Sequence, residues 1–148
     1  TEDVDMDVVK AAALLHDIAY AKKFYKDEYA KTSETMARDL LREKDFTKQQ
    51  IELILRSIRE HDIWSAHDED VTPMEVKVLR DADRLDHLGY TGIVRGVAYS
   101  AHAEKNIMKL LQRLESLGKE FETKKGKELA KPRVKVVSDF LYGLEQEY

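Results

Sequence analysis

Two clusters of chemistry-bearing residues stand out in this 148-residue chain. The first is His16-Asp17, preceded by Ala11-Ala12-Ala13-Leu14-Leu15 and followed by Ile18-Ala19. Aspartate is rarely buried unless it is paired or bound to a metal. A carboxylate oxygen and an imidazole nitrogen are both ligands for divalent cations. Neighbours on a helix point about 100° apart, so the pair does not face itself, yet both side chains reach an ion lying between their directions. The competing reading is an internal hydrogen-bonded pair or a salt bridge. His61-Asp62 repeats the dipeptide, but at the end of an ordinary amphipathic helix beside an acidic loop.

The second cluster is Asp81-Ala82-Asp83-Arg84-Leu85-Asp86-His87-Leu88-Gly89. On a helical wheel Asp83 falls between Val76 and Leu79, with Arg80 and His87 at the i−3 and i+4 positions. Asp81 points elsewhere, between Leu85 and Leu88. Either carboxylate is a candidate to turn inward. Arg84 and Asp86 read as a solvated face with intrahelical ion pairs. Cysteine is absent, which removes a thiolate nucleophile, a cysteine metal site and a disulfide framework. No serine, cysteine or phosphate-loop motif offers a covalent route. A cation held by His and Asp, with positions left for water and a substrate oxygen, is the chemistry these residues suit.

The elements that must position these groups read as helices. The first spans about residues 3–24 and is apolar nearly all round from Val8 to Ala21, as a central buried helix would be. A second covers about 27–44. Thr47 and Gln50 form a capping box for a third, whose stripe is Ile51, Ile54, Leu55 and Ile58. His61 continues the Ile54–Ile58 stripe, which makes it a candidate general acid; a helix-end histidine capping carbonyls is the competing reading. Residues 61–72 are a polar, acidic loop. Thr72-Pro73 opens a fourth helix, running to about 88. Gly89 to Gly92 is a break, followed by short helices at about 93–101 and 104–117, the latter ended by Gly118. A last amphipathic stretch covers about 126–146, with Pro132 as a kink or a start. No strand pattern appears. The fold class is all-α, a single-domain helical bundle over 1–148.

Composition narrows the function classes. The formal net charge of −4 argues against general nucleic-acid binding. No apolar run approaches the roughly 20 residues of a membrane span. The lack of cysteine suits a reducing cytoplasm.

Ala13-Leu14-Leu15-His16-Asp17-Ile18 resembles the ALLHDI motif of HD-superfamily hydrolases. Asp81 to Gly89, continued by Gly92-Ile93-Val94-Arg95, resembles the DADRLDALGxxGIxR segment of one branch: small single-domain HD proteins taken to be phosphohydrolases, some acting on nucleotides. Ile58-Arg59-Glu60-His61 resembles that branch's third-helix segment, and Ala130-Lys131-Pro132-Arg133 with Phe140-Leu141 and Glu145 its C-terminal helix. The two main motifs lie about 65 residues apart, and the resemblance runs along nearly the whole chain in order.

The resemblance implies an HD-type bundle hydrolysing a phosphate ester or anhydride, of a nucleotide, through a metal-activated water. Phosphatase and nucleotide pyrophosphohydrolase both fit. It implies His16, Asp17 and Asp83 as metal ligands, with Asp81 as fallback. Asp17 or Asp83 would orient the nucleophile. Lys22 and Arg95 would bind phosphate, joined by Arg80, which can reach toward Asp83. His67 and His102 have no such support. The cofactor is a divalent cation: manganese or magnesium first, with cobalt, nickel, iron or zinc compatible. The superfamily's first ligand histidine is expected on a helix ahead of Thr1, since none of the fifteen residues before His16 is a histidine. That gap motivates the alternative, a non-catalytic HD domain binding a nucleotide or a protein partner. A plain helical bundle is a third reading. The expected partner is a small phosphorylated substrate, without a membrane role; a homodimer is compatible.

Overall fold

Every regular element of the computed structural model is helical among the residues it describes, which are 3–22, 29–61, 72–103 and 106–147. Helix α1 is Met6–Leu15, followed by a 3-10 turn, Ile18–Lys22. Then come α2, Tyr29–Leu41; α3, Lys48–Glu60; α4, Met74–Asp86; α5, Gly89–His102; α6, Ile107–Leu117; and α7, Lys124–Glu147. The all-α expectation holds. No described helix is long and apolar enough to cross a membrane. The chain divides into two compact units, Thr1–Arg80 and Asp81–Tyr148, with the boundary inside α4.

In the first unit α1 and α3 start from a shared clamp. The Asp5 carboxylate accepts from the amides of Asp7 and Val8 at 3.0 and 3.2 Å, capping α1. Its other oxygen accepts from Gln50 Nε2 at 2.9 Å. Gln50 Oε1 in turn accepts from the Thr47 amide at 2.9 Å, while Thr47 Oγ1 accepts from the Gln50 amide, so the expected capping box is formed. One glutamine therefore caps its own helix and ties it to the start of another. From that clamp Val8 and Ala12 of α1 meet Ile54, Leu55 and Ile58 of α3, with Ala37 and Leu41 of α2 and Leu79 of α4 completing the cluster. Val8 and Ala12, Ala37 and Leu41, and Ile54 and Leu55 with Ile58 lie three or four residues apart, the spacing of one helix face.

The second unit packs α5, α6 and α7 around Ile93, Leu111, Leu114, Leu117, Val137 and Leu141. The expected break at Gly89–Gly92 is narrower than its glycines suggested. Gly89 alone takes a left-handed φ of +73°, and α5 begins on it. Gly118 closes α6 as expected. Pro132 neither starts nor ends α7, which continues through it as one helix of 24 residues.

Two predictions follow from the packing and the clamp. Gly126 lies where an added Cβ would sit 2.2 Å from Asp81 Oδ2, whereas Gly143 has open space. Gly126→Ala should therefore destabilise the protein by about 1–3 kcal/mol, as overpacking does. Gly143→Ala should stabilise it by about 0.5–1 kcal/mol through helix propensity. Denaturant unfolding of the two variants reads both signs. The Gln50 hydrogen bond, then that of the Val8 amide, holds the Asp5 carboxyl below the usual carboxylate range. A depressed folded-state value contributes stability above the unfolded value, about 4, and loses it as pH falls through the folded one. The melting-temperature deficit of Asp5→Ala should thus be full at pH 7 and shrink below about pH 4.

Candidate metal centre

Having started from one clamp, α1 and α3 also end together. His16 is the C-cap of α1 and His61 the C-cap of α3. Each ring folds back on its own helix. His16 Nδ1 donates to the Ala13 carbonyl at 2.8 Å, and His61 Nδ1 to the Ile58 carbonyl at 2.5 Å. A carbonyl only accepts, so each ring carries a proton on Nδ1, and a neutral ring keeps its Nε2 lone pair. Both Nε2 atoms face one carboxylate. His16 Nε2 lies 3.4 Å from Asp17 Oδ2, and His61 Nε2 lies 3.7 Å from Asp17 Oδ1. The two rings meet edge-on with centroids 4.9 Å apart.

Among the described residues, one ligand atom from each of His16, Asp17 and His61 lies within 4.8 Å of the others. Two imidazole nitrogens with fixed tautomers and one carboxylate are a donor set for a divalent cation. The ends of α1 and α3 add to this, since helix C-termini carry partial negative charge. The residues present therefore fit the cation that the HD-type resemblance implies.

The local structure differs from the reading of one long buried helix. α1 stops at Leu15, before the pair rather than beyond it. The Ala19 amide, which a continuing helix would give to Leu15, goes to Ser33 Oγ of α2 at 3.2 Å. The Tyr20 amide takes the Asp17 carbonyl at 3.0 Å, tightening the chain into the 3-10 turn. Asp17 is consequently 46% exposed and His16 22%. The pair lies at a helix end beside His61, not as a charge inside an apolar helix. Leu14, on the supposedly buried helix, is 83% exposed.

The other candidate residues take varied places. His61 is 1% exposed; it ends its helix by binding a carbonyl, the competing reading of it, and it also groups with His16 and Asp17, which neither reading anticipated. Arg80 is equally buried. Its Nε donates to the Glu60 carbonyl at 2.7 Å, so it secures the end of α3 next to His61. Lys22 closes the 3-10 turn. His67 lies outside the described residues, and His102 is in the last turn of α5. In the second unit, His87 Nδ1 hydrogen-bonds the Asp83 backbone carbonyl at 3.0 Å and lies 3.7 Å from Asp83 Oδ1. That is the i+4 partner expected on the wheel. Arg95 pairs with Asp86 at the surface.

Asp81 and Arg84 depart most from a solvated helix face. Asp81 accepts from the amides of Glu122 and Thr123 at 3.0 and 2.8 Å, and from Thr123 Oγ1 at 2.7 Å. Arg84 Nη1 bridges Asp81 Oδ1 at 3.1 Å and Glu122 Oε1 at 2.9 Å, itself buried. The carboxylate thus lies against the start of α7, where helix partial charge favours an anion. Arg133 donates to the Leu85 carbonyl at 2.6 Å, fixing the end of α4.

Sequence reasoning missed Tyr29. Its hydroxyl lies 3.1 Å from His61 Nε2, and its ring stands edge-on to His61 and tilted against Tyr20. A tyrosine twelve residues after Asp17 carries no signal of this, because the contact depends on how α2 packs.

A family model described as HD domain matches residues 1–88, more than half of the chain. Solved structures share the fold. The Lin1889 protein of Listeria innocua is 21% identical at a TM-score of 0.67, with 97% of this chain and 87% of that one covered. YpgQ of Bacillus subtilis, solved in complex with ADP, is 20% identical at 0.72, with 98% and 76% covered. An HD-superfamily hydrolase of Bacillus thuringiensis is 22% identical at 0.71, with 97% and 74% covered. No curated protein sequence matches the chain.

The hydrogen bonds at Asp81 make it a structural anchor, and this is testable. Asp81→Ala should cost about 2–4 kcal/mol, because it strips buried donors and a buried guanidinium of their acceptor. The melting-temperature loss should be equal with and without manganese. A loss confined to the manganese-loaded protein would restore Asp81 as a metal ligand.

Proposed function

The chain belongs to the HD-domain family, and from that premise we propose that it is a metal-dependent phosphohydrolase cleaving a phosphate ester or anhydride of a nucleotide. Family membership and the hydrolase among its structural relatives support metal-dependent hydrolysis at the level of the superfamily. The observation that carries the reading is the convergence of two Nε2 atoms on the Asp17 carboxylate. The nucleotide is favoured by the likeness to YpgQ, which was solved with ADP.

His16, Asp17 and His61 would hold the cation, with Asp83 as the further ligand that the motif resemblance implies. A bound divalent cation stabilises charge on the phosphoryl group and makes water a competent nucleophile near neutral pH. The Ala13 and Ile58 carbonyls hold each ring proton on Nδ1 and so keep each Nε2 available. His61 is assigned to ligation rather than to protonating the leaving group, since its ring proton is already given to a carbonyl. Asp17, almost half exposed, can accept a hydrogen bond from a nucleophilic water. Arg80 keeps the end of α3, and with it His61, in place. Lys22 is the cation proposed for the phosphate. Arg95 is proposed for the same role and would first have to leave Asp86.

The test is a hydrolysis screen of nucleoside mono-, di- and triphosphates and sugar phosphates with manganese, magnesium, cobalt or nickel. Turnover is expected with at least one pair. His16→Ala, Asp17→Ala and His61→Ala should each lower it about 100-fold or more, because changes behind the ligands alone cost 10–100-fold. Activity that survives Asp17→Ala, or wild-type protein inactive with every pair, would overturn the reading.

A further inference from the structure

We propose that Tyr29 is a positioning residue of this centre. Its hydroxyl holds His61 Nε2 in the metal-free protein, and it passes to a phosphoryl oxygen when a cation takes that nitrogen. The inference rests on the phosphohydrolase reading above and adds a residue that neither motif contains.

The argument begins with one nitrogen. His61 Nδ1 gives its proton to the Ile58 carbonyl, so Nε2 of the neutral ring is an acceptor. A tyrosine phenol, with a pKa near 10, is a neutral donor at neutral pH. The contact between Tyr29 Oη and Nε2, 3.1 Å long, is therefore a hydrogen bond donated by the tyrosine. The same Nε2 is the ligand atom that faces Asp17. One lone pair serves one partner, so hydroxyl and cation compete for it.

The tyrosine is not loosely placed. It is the first residue of α2, and Ser33, one turn later on the same face, takes the Ala19 amide of the chain leaving the His-Asp pair. Its ring lies against two others, with centroids 5.2 Å from Tyr20 and 5.7 Å from His61. These contacts keep the ring beside the centre after the hydroxyl gives up Nε2. A displaced donor there needs a new acceptor, and a phosphoryl oxygen of a substrate on the cation would be a strong, charged one.

The experiment compares wild type, Tyr29→Phe and a distant control, Tyr142→Phe, all in the full chain. Manganese alone is the first probe, by calorimetry. Phenylalanine removes the competitor, so manganese should bind about twofold to tenfold more tightly, the worth of one neutral hydrogen bond. Inorganic phosphate is the second probe, titrated into manganese-loaded protein. Its affinity should fall by a similar factor in Tyr29→Phe and stay unchanged in the control. In metal-free protein labelled with 15N, the His61 Nε2 resonance should move toward that of an unbonded ring nitrogen in Tyr29→Phe, a readout that a merely structural role would not move. Manganese affinity that is unchanged or weaker in Tyr29→Phe overturns the competition. Tighter manganese with unchanged phosphate affinity overturns the transfer to a phosphoryl oxygen. If wild type takes up none of manganese, magnesium, cobalt or nickel, the phosphohydrolase reading fails and this inference with it. If wild type binds manganese and turns over substrate but Tyr29→Phe matches it, the Tyr29 inference fails alone.

Discussion

The candidate centre depends on one interaction made twice: a histidine at a helix end returning its Nδ1 proton to a carbonyl of its own last turn. Those carbonyls have no partner within the helix, so binding a ring N–H satisfies them at little cost. The same bond decides the tautomer and presents Nε2 outward. Because α1 and α3 do this side by side, two ligand nitrogens reach one carboxylate. A single histidine so arranged would be an ordinary helix cap. The pairing turns two caps into a donor set.

The pairing requires α1 and α3 to start together as well as end together. The Asp5–Gln50 hydrogen bond supplies the first condition, and the apolar face of Val8, Ala12, Ile54, Leu55 and Ile58 maintains the register between. Arg80 and Ser33 finish the arrangement from neighbouring elements. Arg80 takes the Glu60 carbonyl beside His61, and Ser33 takes the amide that would have extended α1 past the His-Asp pair. Without Ser33's oxygen the local sequence, rich in alanine and leucine, favours continuing the helix. Here a tertiary hydrogen bond overrides local propensity.

The second unit uses charge differently. The Asp81 carboxylate lies against the first residues of α7 and is shared with Thr123 and Arg84. Gly126 is required because that oxygen occupies the space a side chain would need. Acidic residues two positions apart on one helix thus have unrelated surroundings: Asp81 anchors a helix start, and Asp83 faces His87.

Several features were legible in the sequence because their causes are local. The capping box at Thr47 and Gln50, the end of α6 at Gly118, the all-α class and the His87 partner of Asp83 each follow from residues within four positions of one another. The sequence singled out the His-Asp pair as a charge sealed inside an apolar helix, whereas Asp17 lies almost half exposed at a helix end and is grouped there with His61. Where α1 stops, what Asp81 and Arg84 bind, and that Tyr29 touches His61 depend on Ser33, Thr123 and the packing of α2, which are distant along the chain. Spacing along a sequence dictates which residues share a helix face. Which side chains from different helices meet around one carboxylate is decided only when the helices pack.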